Sequence, residues 1–118
     1  MKVRINRDSV CAGDDVDSHD RTLELVAVET FDALVARVVA EYALPKIEGG
    51  RATWCLASRW PIAIVAQEWL APRVLPQIRS VADCAAADGA LELHFTYLAQ
   101  IDPEAALEVL RRVRFMSS

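Results

Sequence analysis

The chain is poor in lysine, glycine and cysteine, and it has no long apolar run. Among its 118 residues, two are lysine, four are glycine and three are cysteine. No apolar stretch approaches the ~20 residues that a membrane-spanning helix needs. The first seven residues include three charged side chains and mostly alternate apolar and polar positions, unlike the apolar core of a signal peptide. We therefore expect a protein that neither spans a membrane nor carries a secretion signal.

The three cysteines, Cys11, Cys55 and Cys84, indicate neither a disulfide framework nor a zinc site. Their number is odd and no CxxC spacing occurs, which is typical of a reducing compartment. Phosphate-binding loops, dinucleotide fingerprints and nucleophile elbows are also missing from the sequence. We predict a cytoplasmic protein without a cofactor, in which Cys55 is a buried and unreactive thiol.

The residues that are present suit one folded domain, covering residues 1–118. Apolar residues make up 53% and charged residues 25% of the sequence, a balance that excludes disorder. The hydrophobic pattern alternates in some segments and follows helical spacing in others. It predicts strands at 3–7, 22–28, 52–57, 61–67 and 91–97, helices at 31–43 and 102–115, and a crossing loop at 68–90 with a short helical turn at 80–87.

This order of elements predicts an α+β fold with a β-grasp-like mixed sheet. A hairpin, a helix packed across the sheet and further strands make that arrangement, with a strand and a helix at the C-terminal end. A helix that joins two strands of one sheet implies that some strands run parallel. An α+β sandwich with another strand order is the alternative.

The strongest functional signal is an acidic segment at residues 8–20. It contains five aspartates and no lysine or arginine, a charge of −5, whereas the other 105 residues together carry +1. Such a segment attracts a basic partner and repels nucleic acid. The net charge of −4 likewise argues against a nucleic-acid-binding surface. We predict partner contacts by Asp14, Asp15, Asp17 and Asp20, and a solvated connecting loop is the alternative.

Three tryptophans stand within sixteen residues, at positions 54, 60 and 69. Trp60 precedes Pro61 near a turn, and Trp69 precedes a proline-containing loop. Tryptophan is enriched at the energetic centres of interfaces. We therefore predict that Trp60 and Trp69 are partly exposed and that one or the other anchors a protein partner. Packing at the edge of the core is the alternative.

Several short stretches resemble small bacterial β-grasp-like, ubiquitin-like proteins of toxin–immunity loci, including those of contact-dependent growth inhibition. They are Ser9-Val10-Cys11-Ala12-Gly13-Asp14-Asp15, Leu44-Pro45-Lys46-Ile47-Glu48-Gly49-Gly50, Ala52-Thr53-Trp54, and Tyr97 with Asp102-Pro103-Glu104. The resemblance implies a non-catalytic immunity protein that binds a protein toxin. It assigns no particular residue a role.

Two other classes of function remain open from the sequence. The first is a small metal-dependent or thiol enzyme that uses Cys11, His19 and the acidic segment, although a calcium loop requires glycine where Asp20 stands. His94, between Glu92 and Thr96, is a candidate general base in that case. The second is a ubiquitin-like carrier or assembly factor.

Overall fold

The sheet and helices follow closely the order that the sequence predicts. The computed structural model describes residues 1–10, 18–47 and 49–117, with side chains described as far as residue 112. Its elements are β1 (Lys2–Arg7), β2 (Arg21–Glu24), α1 (Phe31–Glu41), β3 (Thr53–Ala57), β4 (Pro61–Ala66), β5 (Arg73–Val74), β6 (Leu91–Tyr97) and α2 (Pro103–Ser117). A single 3-10 turn, Val81–Cys84, precedes β6.

The described strands form one mixed sheet in the order β2-β1-β6-β3-β4-β5. The first and last strands of the chain, β1 and β6, lie side by side and run parallel. The other neighbouring pairs are antiparallel, including both predicted hairpins, β1–β2 and β3–β4. This confirms the α+β class and the mixed sheet. The closer assignment to the β-grasp proteins stays a prediction.

Helix α1 covers one face of the sheet. It begins after Thr30, whose hydroxyl accepts a hydrogen bond from the Ala33 amide at 3.1 Å. Such an N-cap satisfies one of the four backbone amides that a helix start leaves without a partner. The buried residues of α1 are Phe31, Leu34, Val35 and Val38. They belong to the main core together with apolar residues of β1, β2, β3 and β6.

Strand β6 alternates as predicted between this core and the opposite face. Leu91, Leu93 and Phe95 are buried under α1, and Tyr97 is half-buried against Trp54 with ring centroids 4.8 Å apart. The intervening residues are Glu92, His94 and Thr96. Because side chains along a strand point alternately to the two faces, these three lie on the second face of the sheet.

Helix α2 covers only part of that second face. Asp102 caps its start by accepting from the Glu104 amide at 3.1 Å, and Pro103 occupies the first helical position. Ala106 and Leu107 of α2 pack in a second core with Ile64 of β4. Since Ile62 and Ala63 belong to the main core, β4 is buried on both faces, as its apolar sequence predicts.

Two boundaries differ from the prediction for identifiable reasons. Strand β2 ends at Glu24 instead of residue 28, because Glu24 already pairs with Lys2 at the beginning of β1. Only Leu25 continues the contact, since its amide donates to the Met1 carbonyl at 2.9 Å. The predicted loop at 68–90 contains β5, a two-residue edge strand between Pro72 and Pro76 that is too short to show a period.

Within the described residues, neither helix combines the length and the apolar character needed to cross a bilayer.

Candidate functional site

The predicted acidic contact residues fall mostly outside the part of the chain that the structure describes. Asp14, Asp15 and Asp17 lie in the interval 11–17, and the structure therefore does not test them. Asp20 is described and exposed, and its amide donates to the Ser18 hydroxyl at 3.2 Å. It directly precedes β2 and forms part of the rim of a cleft on the second sheet face.

The first flank of the acidic segment is fixed to the sheet by Asp8. One carboxylate oxygen of Asp8 lies 2.7 Å from Nε2 of His94, and the other accepts from the Tyr97 amide at 2.9 Å. The Asp8 amide in turn donates to the Phe95 carbonyl at 3.0 Å. These bonds extend the β1–β6 pairing to the last residue before the segment leaves the sheet.

The second flank is fixed by His19. Its carbonyl accepts a hydrogen bond from the buried Tyr42 hydroxyl at 2.6 Å, and Tyr42 stacks on Phe95 in the main core. The two flanks also meet each other, since the Ser9 hydroxyl and Nε2 of His19 lie 3.3 Å apart. The chain therefore leaves and returns at one place, the end of β6 around Phe95.

His94 has a protein partner at each ring nitrogen. Nε2 faces the Asp8 carboxylate, and Nδ1 forms a short contact with Oδ1 of Asn6. A general base needs one ring nitrogen that is open to a substrate. The geometry therefore indicates a structural role for His94, which holds Asp8 beside the sheet. It does not favour the general-base hypothesis.

Beside His94 lies a polar cleft of about 580 Å³ on the part of the sheet that α2 leaves uncovered. Its floor consists of side chains from β1 and β6, and Arg21 and Thr22 of β2 form one side. We call it the polar cleft. Its principal polar residues are Arg4, Asn6, Asp20, Arg21, Ser58, Arg59, Glu92 and His94.

Arg4 is held at the floor of the polar cleft by two carboxylates. Its guanidinium donates to Asp88 at 2.6 Å and to Glu92 at 2.7 Å. These hydrogen bonds raise the pKa of Arg4, and the bond from Arg4 is the main cause that lowers the pKa of Asp88 to about 2. Arg4 is thus neutralised locally, because charge-assisted pairs of this kind offset the guanidinium charge.

The two predicted tryptophan anchors have different environments. Trp60 is buried, with its indole amine donating to Gln77 at 2.8 Å and the Arg79 guanidinium 4.8 Å above its ring. Trp69 is half-buried, and the Arg73 guanidinium lies 5.1 Å above it. Partial exposure is therefore correct for Trp69 and wrong for Trp60, whose ring lies under the Arg79 guanidinium and whose indole amine is bonded to Gln77.

The tryptophans also lie at opposite ends of β4. Six residues of strand separate them, which corresponds to about 20 Å. A single compact contact centre cannot contain both side chains together. Their role in partner binding itself stays a prediction.

The described cysteines are poor nucleophiles. Cys55 and Cys84 are buried free thiols. Burial raises the pKa of Cys55 to about 11, and it also raises the pKa of Cys84 despite the nearby Arg59. A thiol must ionise to attack, so neither residue favours thiol chemistry. Cys11 lies outside the described residues, and among the described ones no three histidine, cysteine or acidic side chains form a group that could hold a metal.

A second cavity, which the sequence does not reveal, lies between α2 and the β3–β4 hairpin. We call it the apolar groove. It has a volume of about 480 Å³ and is lined by Ala57, Trp60, Leu98, Ile101, Val109 and Leu110 among others. The periodicity of strands and helices indicates which residues share a face. It does not indicate that α2 leaves part of β6 uncovered. Only the position of α2 on the sheet creates this groove.

Comparisons with known proteins give no relative. No protein-family model matches the chain, no curated protein is significantly similar to it, and no solved structure is significantly similar to its fold. The resemblance to immunity proteins therefore stays a prediction.

Proposed function

We propose that this chain is a non-catalytic bacterial immunity protein that acts in the cytoplasm. It binds a cognate protein toxin with a basic surface, most simply a nuclease, and neutralises it by covering the active site. The observation that carries this proposal is the concentration of acidic charge in residues 8–20, a segment whose two flanks are fixed at one end of the sheet.

The fixed flanks matter because they place the two ends of the acidic segment at one end of the sheet. Asp8 is bonded to His94 and to the Tyr97 amide, and His19 is bonded to Tyr42. The acidic segment is therefore connected to the core through two short anchors. Nuclease grooves are basic because they bind phosphates, and opposite charges on two proteins accelerate association and fix their orientation.

In this mechanism the acidic side chains replace the toxin's substrate phosphates. Asp14, Asp15, Asp17 and Asp20 pair with lysine and arginine side chains in the substrate groove. Trp69, whose ring is half-buried, is the better candidate for an apolar anchor. Trp60 contributes less contact area, because it is already covered.

The test is to purify the tagged chain from its native host at low salt and identify what accompanies it. The proposal predicts one basic protein in stoichiometric amount. That protein should be toxic when it is expressed alone and harmless when it is expressed together with this chain.

A charge-matched pair of variants assigns the contact to the acidic segment. The first variant changes Asp14, Asp15, Asp17 and Asp20 to Asn. The second changes four exposed glutamates elsewhere to Gln, at Glu29, Glu41, Glu68 and Glu108. Both alter the net charge equally, but only the first should weaken protection. Purification without any accompanying protein, or equal protection by both variants, would contradict the proposal.

A further inference from the structure

The apolar groove differs from the rest of the second sheet face in its chemistry. Arg59 is the single charged residue among the described residues that line it, and the lining contains no carboxylate. Its volume of about 480 Å³ lies within the range typical of small-molecule sites, roughly 300–1,000 Å³. Such sites combine mainly apolar walls with a few polar groups that orient the ligand.

Two apolar side chains at the groove are more exposed than a packed core allows. Val109 of α2 is 59% exposed and Ile101, in the turn before α2, is 48% exposed. Both belong to the lining of one cavity, so they form a continuous apolar surface and not two isolated positions. Covering that surface with an apolar ligand removes it from water, which favours binding.

The walls of the groove are fixed before any ligand binds. The buried Thr53 hydroxyl donates to the Ile101 carbonyl at 2.8 Å. The backbone of Thr53 also bonds to Leu98 and Ala99, at 2.8 and 3.0 Å. Trp60, on the other side, is fixed by Gln77. A preformed site saves the entropy that a ligand would otherwise lose by ordering the protein.

Arg59 supplies a positive charge at the end of the groove where it meets the polar cleft. Its guanidinium donates to the Asp83 carbonyl at 2.6 Å, and no carboxylate of the described residues forms an ion pair with it. Together with Ser58 it lines both cavities. A guanidinium has five N–H donors, so donors remain for a ligand oxygen pair.

We propose that the apolar groove binds a small monocarboxylate with an alkyl chain, such as a medium-chain fatty acid. The chain lies against Val109, Ile101 and Leu98, and the carboxylate pairs with Arg59. Arg59 is the one cation among the described residues of this mostly apolar lining, and a fatty acid has one negative charge at the end of an apolar chain. A planar carboxylate also fits the guanidinium fork in a bidentate pair. This site is independent of the acidic segment and of toxin binding.

Isothermal titration calorimetry with sodium decanoate, below its micelle concentration, tests the proposal. We expect saturable binding of one decanoate per chain, and about fifteenfold weaker binding of octanoate because it lacks two methylenes. Decanol, which has no charge, should bind about tenfold or more weakly than decanoate.

Two variants with matched controls locate the ligand. Arg59→Gln should weaken decanoate binding about tenfold, whereas Arg51→Gln, at an exposed arginine outside the groove, should not change it. Val109→Asn should weaken binding about tenfold, whereas Val26→Asn, at a residue 78% exposed and outside the groove, should not. Because Val109 is exposed, the fold tolerates this change.

Three results would overturn the proposal. The first is the absence of saturable decanoate binding, and the second is equal affinity of the Arg59→Gln and Arg51→Gln variants. The third is a dimer in size-exclusion chromatography that Val109→Asn dissociates, since the groove would then hold a second copy of the chain. The variant with Asn at positions 14, 15, 17 and 20 should bind decanoate normally, which separates this site from the toxin contact.

Discussion

At the scale of single residues, two aspartates are bonded within the protein to residues that are distant in the sequence. Asp8 belongs to the acidic segment by sequence, but its carboxylate is used within the protein, by His94 and the Tyr97 amide. Asp88 is exposed and pairs with Arg4 at the floor of the polar cleft. The sequence predicts that the acids cluster, but it cannot predict which of them are engaged, because their partners come from β1 and β6.

We predict that Asp8→Ala destabilises the fold. The change removes the acceptor of the half-buried Tyr97 amide, and such a loss costs about 1–3 kcal/mol. Asp8→Asn, which keeps one oxygen acceptor, should cost less. The free energy of unfolding in urea measures both. A value for Asp8→Ala within about 0.5 kcal/mol of the wild type would show that this anchor contributes nothing measurable.

Asp88 should make the stability depend on pH in the acid range. The hydrogen bond from Arg4, aided by the Ala90 amide, lowers the pKa of Asp88 to about 2 in the folded protein. The unfolded chain has a pKa of about 3.9, so the contribution is fully present above that pH and is lost as the pH falls towards 2.

The corresponding measurement is urea unfolding of the wild type and Asp88→Asn across this range. The difference in stability should be constant near neutral pH, should decrease between about pH 4 and pH 2, and should vanish only below about pH 2. Glu68→Gln, at an exposed glutamate without an ion pair among the described residues, serves as the control. A difference that persists unchanged at the lowest pH would contradict the assigned ion pair.

At the scale of elements, periodicity predicts most of the fold. Residues 91–97 form β6 with the predicted bounds, and Asp102-Pro103 begins α2 as its capping pattern indicates. The failures are local. β2 ends early because its partner β1 begins at Lys2, and β5 is a two-residue strand that depends on distant residues, including its pairing with β4. Neither cause can be predicted from the residues of β2 or β5 alone, because each depends on a partner strand.

The cap of α1 gives an element-scale prediction. Thr30→Ala removes the hydroxyl that accepts from the Ala33 amide, which should lower the free energy of unfolding by about 0.5–2 kcal/mol. Thr30→Ser retains the hydroxyl and should behave nearly as the wild type does. Chemical denaturation monitored by circular dichroism distinguishes the two variants. Equal loss in both would place the effect of Thr30 in its methyl group and not in the cap.

At the scale of the whole molecule, the surface has two kinds of candidate binding feature. The distribution of charge gives the acidic segment, and the position of α2 gives the two cavities. The acidic segment is recognisable from composition alone, because its charge exceeds that of the entire remainder. The polar cleft and the apolar groove are not, because their residues come from distant parts of the chain and meet only where α2 leaves the sheet uncovered. The sequence therefore identifies the acidic segment but not the cavities.

The most direct test of the central claim uses the basic protein that the proposed function predicts will be purified with this chain. The measurement is the rate at which the two proteins associate at two salt concentrations. Electrostatic attraction extends about 30 Å at 0.01 M ionic strength and about 8 Å at 0.15 M. At 0.01 M ionic strength, the variant with Asn at positions 14, 15, 17 and 20 should associate roughly tenfold more slowly than the wild type. The variant with Gln at the four glutamates should associate as fast as the wild type. The difference should shrink at the higher value. Equal rates for both variants at low salt would contradict the claim that the acidic segment recognises the partner.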